Sequence, residues 1–237
     1  MIQPTNFTKL SRNDYPTSDG RPMAETDLHR DLMHTLIATL RAWFAADPAV
    51  YVSGNLLVYY VRGNKRVHVA PDVFVVPRVG NHPRENYLLW EEGGGLDVVI
   101  ELTSKTTMIE DIEEKYNLYV SKLKVKEYYL FDPKEEYLTP SFQGYRRSRS
   151  RFQPIRAVAG RLPSKVLGLH LERDGTQLRF RDPKSGSRVP TPEEIIERNE
   201  QTIRKVEEAR AASDAKVEQL QREIEELRRK LAGGAGG

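Results

Sequence analysis

The sequence predicts an α/β fold: a mixed central β-sheet flanked by helices, followed by a C-terminal coiled-coil helix. Three observations carry that prediction. Valine-rich runs such as 72–76 and 96–102 are too continuously apolar for half-exposed strands, so they belong in a sheet covered on both faces. Residues 96–132 follow a strand–helix–strand order, the grammar of a βαβ crossover. At Thr191 the composition breaks: no proline follows Pro192, and no glycine appears before Gly233.

In chain order, residues 1–20 are rich in Pro, Ser, Asn and Asp and form a polar N-terminal arm. Residues 21–190 form the folded domain. Its first helix is expected over 23–46, where Leu28, Leu32, Leu36, Leu40, Trp43 and Phe44 recur at helical spacing and Pro48 closes the run. "LLVYYVR" and "KRVHVA" then flank Gly63-Asn64, the signature of a hairpin with a two-residue turn. The strand at 72–76 follows. After Gly93-Gly94-Gly95 comes the strand from Leu96, then a helix over 108–122, then the strand "EYYLFDP" and a series of short strands ending at "TQLRFRDP".

Residues 191–237 hold one unbroken heptad frame. Its a positions are Ile196, Ile203, Arg210, Val217, Ile224 and Leu231, and its d positions are Asn199, Val206, Ser213, Leu220 and Leu227. A frame that never slips points to a coiled coil, and in a parallel homodimer Glu223 at g would face Arg228 at e of the partner. A solvated helix folded on its own domain is the alternative.

Composition narrows the chemistry. There is no cysteine, which excludes disulfides, cysteine–zinc sites and thiol nucleophiles and suits a reducing cytoplasm. No apolar stretch is long enough for a membrane span, and the N-terminus lacks an apolar signal core. Formal net charge is only +3, but residues 1–190 carry 28 basic and 23 acidic side chains against 9 and 11 in the tail. "GYRRSRSRFQPIRAVAGRLPSK" holds Arg146, Arg147, Arg149 and Arg151 with no acid, either a solvated basic loop or a DNA-binding surface.

Glu101 stands out because an ionised acid near the end of a buried strand is costly unless it is paired or holds a metal. Asp72, after Pro71, opens a second valine-rich strand. Neighbouring strands lie about 4.8 Å apart, so the two carboxylates are placed to converge on one cation, Mg²⁺ where the substrate is a phosphate. Each acid alone also reads as structural: a turn aspartate, or a salt-bridged strand glutamate.

"PDVFVV" followed by "VIELTSKTTMIEDIEEKYNLYVSKLKVKEYYLFDP", with "MAETDLHR" before the first helix, resembles the Uma-two-type endonucleases. These are a branch of the PD-(D/E)XK superfamily with the restriction-endonuclease-like fold. The resemblance covers residues 21–190 and implies metal-dependent DNA hydrolysis with Mg²⁺ or Mn²⁺. Asp72 and Glu101 would be the metal-binding acids and the Leu102 carbonyl a third ligand. The superfamily pattern places a lysine two residues after the glutamate, where this chain has Thr103. Lys115, on the following helix, or Lys105, in the intervening loop, would supply the missing cation. Glu25 would add a carboxylate from the first helix, or serve only as a first-turn acid favoured by the helix dipole. His29 would orient Glu25, or pack. The rival function is a catalytically silent nucleic-acid-binding or scaffolding module that self-associates through its coiled coil. The two part on whether Lys115 reaches the Asp72–Glu101 pair.

Overall fold

The computed structural model describes residues 11–18, 20, 26–103, 114–149 and 151–233. Thr26 caps the first helix, α1 (Asp27–Trp43): its hydroxyl accepts the His29 backbone N–H at 3.3 Å, and Asp27 puts negative charge at the positive end of the dipole. Leu28, Leu32, Leu36 and Leu40 recur every four residues, and the last three are buried with Met33. Trp43, expected on this apolar face, is 38% exposed at the helix end.

The strands that follow are short. The first six are β1 (Tyr51–Ser53), β2 (Val58–Tyr59), β3 (His68–Val69), β4 (Val73–Val76), β5 (Tyr87–Leu88) and β6 (Val98–Leu102). The rest are β7 (Glu127–Phe131), β8 (Phe142–Ser148), β9 (Arg151–Pro154), β10 (Leu162–Pro163), β11 (His170–Asp174) and β12 (Gln177–Arg181). Six of them build the main sheet in the order β1-β4-β6-β7-β8-β9. It is mixed, as expected: β6 and β7 run parallel, and the other neighbours are antiparallel. The described part of the crossover between β6 and β7 ends in a π-helical turn, Leu118–Lys122.

Side-chain alternation explains the apolar runs. Val73, Val75, Val98, Ile100 and Leu102 join the core of Leu32, Leu36 and Leu40 on one face. Phe74, Val76, Val99, Tyr128 and Leu130 join Tyr119, Val120 and Leu123 on the other. A sheet covered on both faces needs apolar residues at successive positions. Glu101 stands in that second face.

The β2–β3 connection departs from the expected two-residue turn. The strands pair antiparallel, but the link is the longer loop 60–67. The physical reason lies in what the flanking residues bind. β2 pairs with β5 on its other edge, and the Gly63 N–H donates to the Tyr15 hydroxyl at 2.8 Å, which ties the loop away from the strand ladder. Tyr15 itself is buried against Tyr59 and Trp90, with ring centroids 5.0 and 5.2 Å apart, and Asn86 donates to its carbonyl. Part of the polar arm is thus docked.

A three-stranded sheet, β10-β11-β12, completes the first unit, in which Glu172 accepts from Arg161, Arg181 and Arg188 at 2.6, 2.9 and 2.6 Å. Those three guanidinium groups hold its carboxyl down at about 2, against the cost of burial.

The chain divides into two compact units, Met1–Thr191 and Pro192–Gly237. The second contains α2 (Pro192–Gly233), which opens with proline at its first position and Glu193 and Glu194 in its first turn. Residues 196–229 are exposed throughout, including Ile203, Val206, Val217, Leu220, Ile224 and Leu227 at the a and d positions expected from sequence. Among the described residues, no helix is long and apolar enough to cross a membrane.

Candidate active site

Strand register brings the two acids together. β4 and β6 pair with Val73 opposite Ile100 and Phe74 opposite Val99. One step further along the same register sets Asp72 opposite Glu101, both on the face that carries Phe74 and Val99. The Asp72 backbone N–H donates to Glu101 Oε2 at 3.4 Å, and the Leu102 N–H donates to Asp72 Oδ2 at 2.7 Å. Gly54, just after β1, supports this corner by having no side chain. A Cβ there would stand 1.9 Å from the Asp72 carbonyl oxygen. The adjacent Asn55 N–H donates to the Pro71 carbonyl at 2.8 Å.

Glu101 has no solvent exposure, so its charge is met by donors. Lys115 Nζ lies 3.2 Å from Oε2, and the Tyr119 hydroxyl donates to Oε1 at 2.5 Å. These two side chains are four residues apart, about one helical turn, and so reach the same carboxylate. Burial and the neighbouring Glu101 charge push the Tyr119 hydroxyl well above its ordinary range, so it remains a donor. Burial alone would raise the Asp72 carboxyl. His29, 3.1 Å away through Nε2, with Lys115 and the Leu102 N–H, overcomes that and holds it below its usual value.

Thr103 is engaged with the strand ladder rather than with the two acids. It is buried, its N–H donates to the Phe131 carbonyl at 2.8 Å, and its hydroxyl approaches the same oxygen at 3.4 Å. It therefore finishes the β6–β7 ladder, while the positive charge arrives from the crossover through Lys115. Glu25 and Lys105 lie outside the described residues. His29 meets Asp72 directly.

The arginine stretch lies elsewhere. β8 pairs antiparallel with β7, setting Arg146 opposite Glu127, whereas Glu101 is level with Leu130. The β8–β9 hairpin tip therefore stands at the end of the sheet away from Glu101. Arg146 is engaged there inside the fold: it donates to buried Glu127 at 2.8 Å and to the Pro163 carbonyl at 2.7 Å. Arg147 Nε is buried without a partner among the described residues. Arg149 and Arg151 are exposed at the tip.

Among the described residues, no three His, Asp or Glu side chains are grouped to hold a metal ion. The donor chemistry nevertheless fits a hard divalent cation. Asp72 and Glu101 supply facing carboxylate oxygens, and Leu102 presents its backbone to the same corner.

A family model described as "Putative restriction endonuclease" (Uma2) matches residues 7–172. The chain belongs to the Uma2 family. The matched range includes Asp72, Glu101, Leu102, Lys115, Tyr119 and the arginine hairpin, and stops before β12 and α2. Among solved structures, a putative nuclease belonging to DUF820 from Anabaena variabilis ATCC 29413 is similar at 17% identity and a TM-score of 0.43, covering 66% of this chain and 85% of that one. No curated protein matches.

Two residues at this corner escaped sequence reasoning in their roles. Tyr119 was within reach of it, since it follows Lys115 by one helical turn. The His29–Asp72 contact was not: it spans 43 positions and exists only because α1 packs over the end of β4.

Proposed function

We propose that this chain is a metal-dependent DNA endonuclease of the PD-(D/E)XK type, working at the Asp72–Glu101 corner. The observation that carries this reading is Lys115: it reaches Glu101 from the crossover and supplies the cation that Thr103 does not. Asp72 and Glu101, with the Leu102 carbonyl, would hold Mg²⁺ or Mn²⁺. The Leu102 N–H faces Asp72, and in an extended strand the carbonyl of a residue faces the same neighbour as its N–H. The chemistry such an ion supplies is polarisation of a phosphate oxygen and activation of a water. Lys115 sets a positive charge beside the position where negative charge develops on the phosphate. Tyr119 and His29 act as positioning residues, holding Glu101 and Asp72 in their rotamers through the outer oxygens.

The test is conversion of supercoiled plasmid to nicked and linear forms with Mg²⁺, with Mn²⁺, and with chelator. Cleavage that needs the ion and disappears in Asp72→Asn supports the reading. Ion-independent cleavage, or full activity in Asp72→Asn, rejects it.

The second unit gives the enzyme its assembly. The exposed stripe of Val217, Leu220, Ile224 and Leu227 is the seam of a parallel homodimer, with Glu223 facing Arg228 of the partner. A dimer of nuclease units presents two sites, which suits cutting both strands of a duplex.

A further inference from the structure

A trough opens beside Lys115. Two adjoining clefts, of about 620 and 570 Å³, share Lys115, His68 and Val69 in their walls. The first is bounded by Lys65 and Arg66 of the β2–β3 loop over a floor of Leu57, Tyr59 and Ala70. The second runs along the π-helical turn to Lys122. Among the described residues that line the two clefts, Glu114 is the one acid.

Beyond Lys115, which pairs with Glu101, three cations of this trough are not engaged in holding the fold together. Lys65, Arg66 and Lys122 are exposed and make no ion pair among the described residues, although Asp14 lies close enough to Lys65 to feel its charge. Arg146 at the distant hairpin, by contrast, is spent on Glu127. His68 Nδ1 is buried and has no hydrogen-bond partner among the described residues. A buried polar nitrogen left unsatisfied calls for a group from outside. The sequence carries the same signal over a longer range: from Pro48 to Pro71 there is no acid, while Arg62, Lys65 and Arg66 fall within five positions.

We infer that this trough, formed by the β2–β3 loop and the π-helical turn, binds the phosphate backbone of the DNA strand and leads it to the Asp72–Glu101 corner. The inference rests on the nuclease reading and adds the substrate path to it. The long 60–67 loop then has a purpose that a tight hairpin could not serve: it carries cations out over the cleft. Lys115 stands where both clefts meet and touches Glu101, so a backbone lying in the trough passes the acids directly. The contacts are to phosphate, so they position the strand without reading its sequence.

The experiment measures binding of a short fluorescein-labelled DNA duplex of mixed sequence by anisotropy, in chelator and across a salt series. Wild type is compared with Lys65→Ser/Arg66→Ser/Lys122→Ser and with Arg149→Ser/Arg151→Ser. All five positions are exposed, and circular dichroism verifies folding. Each lost phosphate contact reduces the log–log salt slope by about 0.9, so the trough variant should lose roughly 2 to 3 from its slope. It should bind weakly at every salt concentration, while the hairpin variant binds like wild type. Unchanged affinity and slope in the trough variant, with DNA bound and cut by wild type, overturns the trough and leaves the nuclease reading standing. A loss confined to the hairpin variant overturns it equally. Wild type that neither binds nor cuts DNA removes the nuclease reading, and the trough falls with it.

Discussion

Lys115 Nζ sits 3.2 Å from Glu101 Oε2, and the register between β4 and β6 sets Asp72 opposite that same glutamate. Three charged groups from three separate segments therefore meet at one corner. The corner is partly buried: Glu101 is fully enclosed, and the Lys115 side chain retains 17% exposure toward the trough. Removing one partner of such a set leaves a buried charge uncompensated.

Glu101→Gln and Asp72→Asn keep the shape of each side chain and remove its charge. Both should abolish metal-dependent plasmid cleavage while far-ultraviolet dichroism stays native, because Tyr119 and Leu102 can still donate to the amide oxygen. A variant that unfolds yet cleaves normally per folded molecule would make these acids structural.

Lys115→Ala should lower cleavage by about 10²–10³, the usual worth of one well-placed donor at a developing charge. Lys122→Ala, also on the crossover but not in contact with either acid, should keep the chemical step intact and change only apparent affinity. Single-turnover rates at saturating metal and DNA separate the two effects. Equal losses in rate would remove Lys115 from its assigned role.

Glu172 links folding to acid. Its folded carboxyl is lowered to about 2, from an ordinary value of 4.5, by Arg181, Arg188 and Arg161. A depressed carboxylate contributes stability that is present in full above its unfolded value and is lost as pH falls toward its folded value. That contribution should therefore fade between about pH 4.5 and about pH 2. Glu172→Gln should lower Tm at neutral pH and narrow its gap to wild type below pH 4.5, as followed by thermal melts across the acid range. A gap that stays constant with pH would show that the three arginines do not stabilise the fold through this charge.

The tail should control assembly. Deleting residues 214–237 removes the continuous apolar stretch from Val217 onward and leaves the half interrupted by Arg210 and Ser213. Light scattering should report dimers for the intact chain and monomers for the truncation, with the first unit still folded. The same mass for both would rule the tail out as the dimer seam.

Much of this protein was legible in its sequence because short-range physics wrote it there. The leucines of α1, the doubly buried valine strands, the βαβ crossover and the long helix α2 follow from apolar periodicity, which depends on neighbours a few residues away. The Asp72–Glu101 pair was legible too, since an acid in an otherwise apolar strand stands out against that periodicity. The β2–β3 turn was not, because Gly63-Asn64 carries a turn signal while Tyr15, 48 positions earlier, pulls the loop open. Nor could sequence tell which arginines are used up: Arg146 becomes a structural cation only when β8 pairs with β7 and meets Glu127. Lys115 marks the boundary between the two. Its place on a helix after β6 was written in the sequence, but the choice of Glu101 as its partner needed the crossover to fold back over the sheet. Periodicity decides which face a residue takes, and only chain packing decides what it meets there.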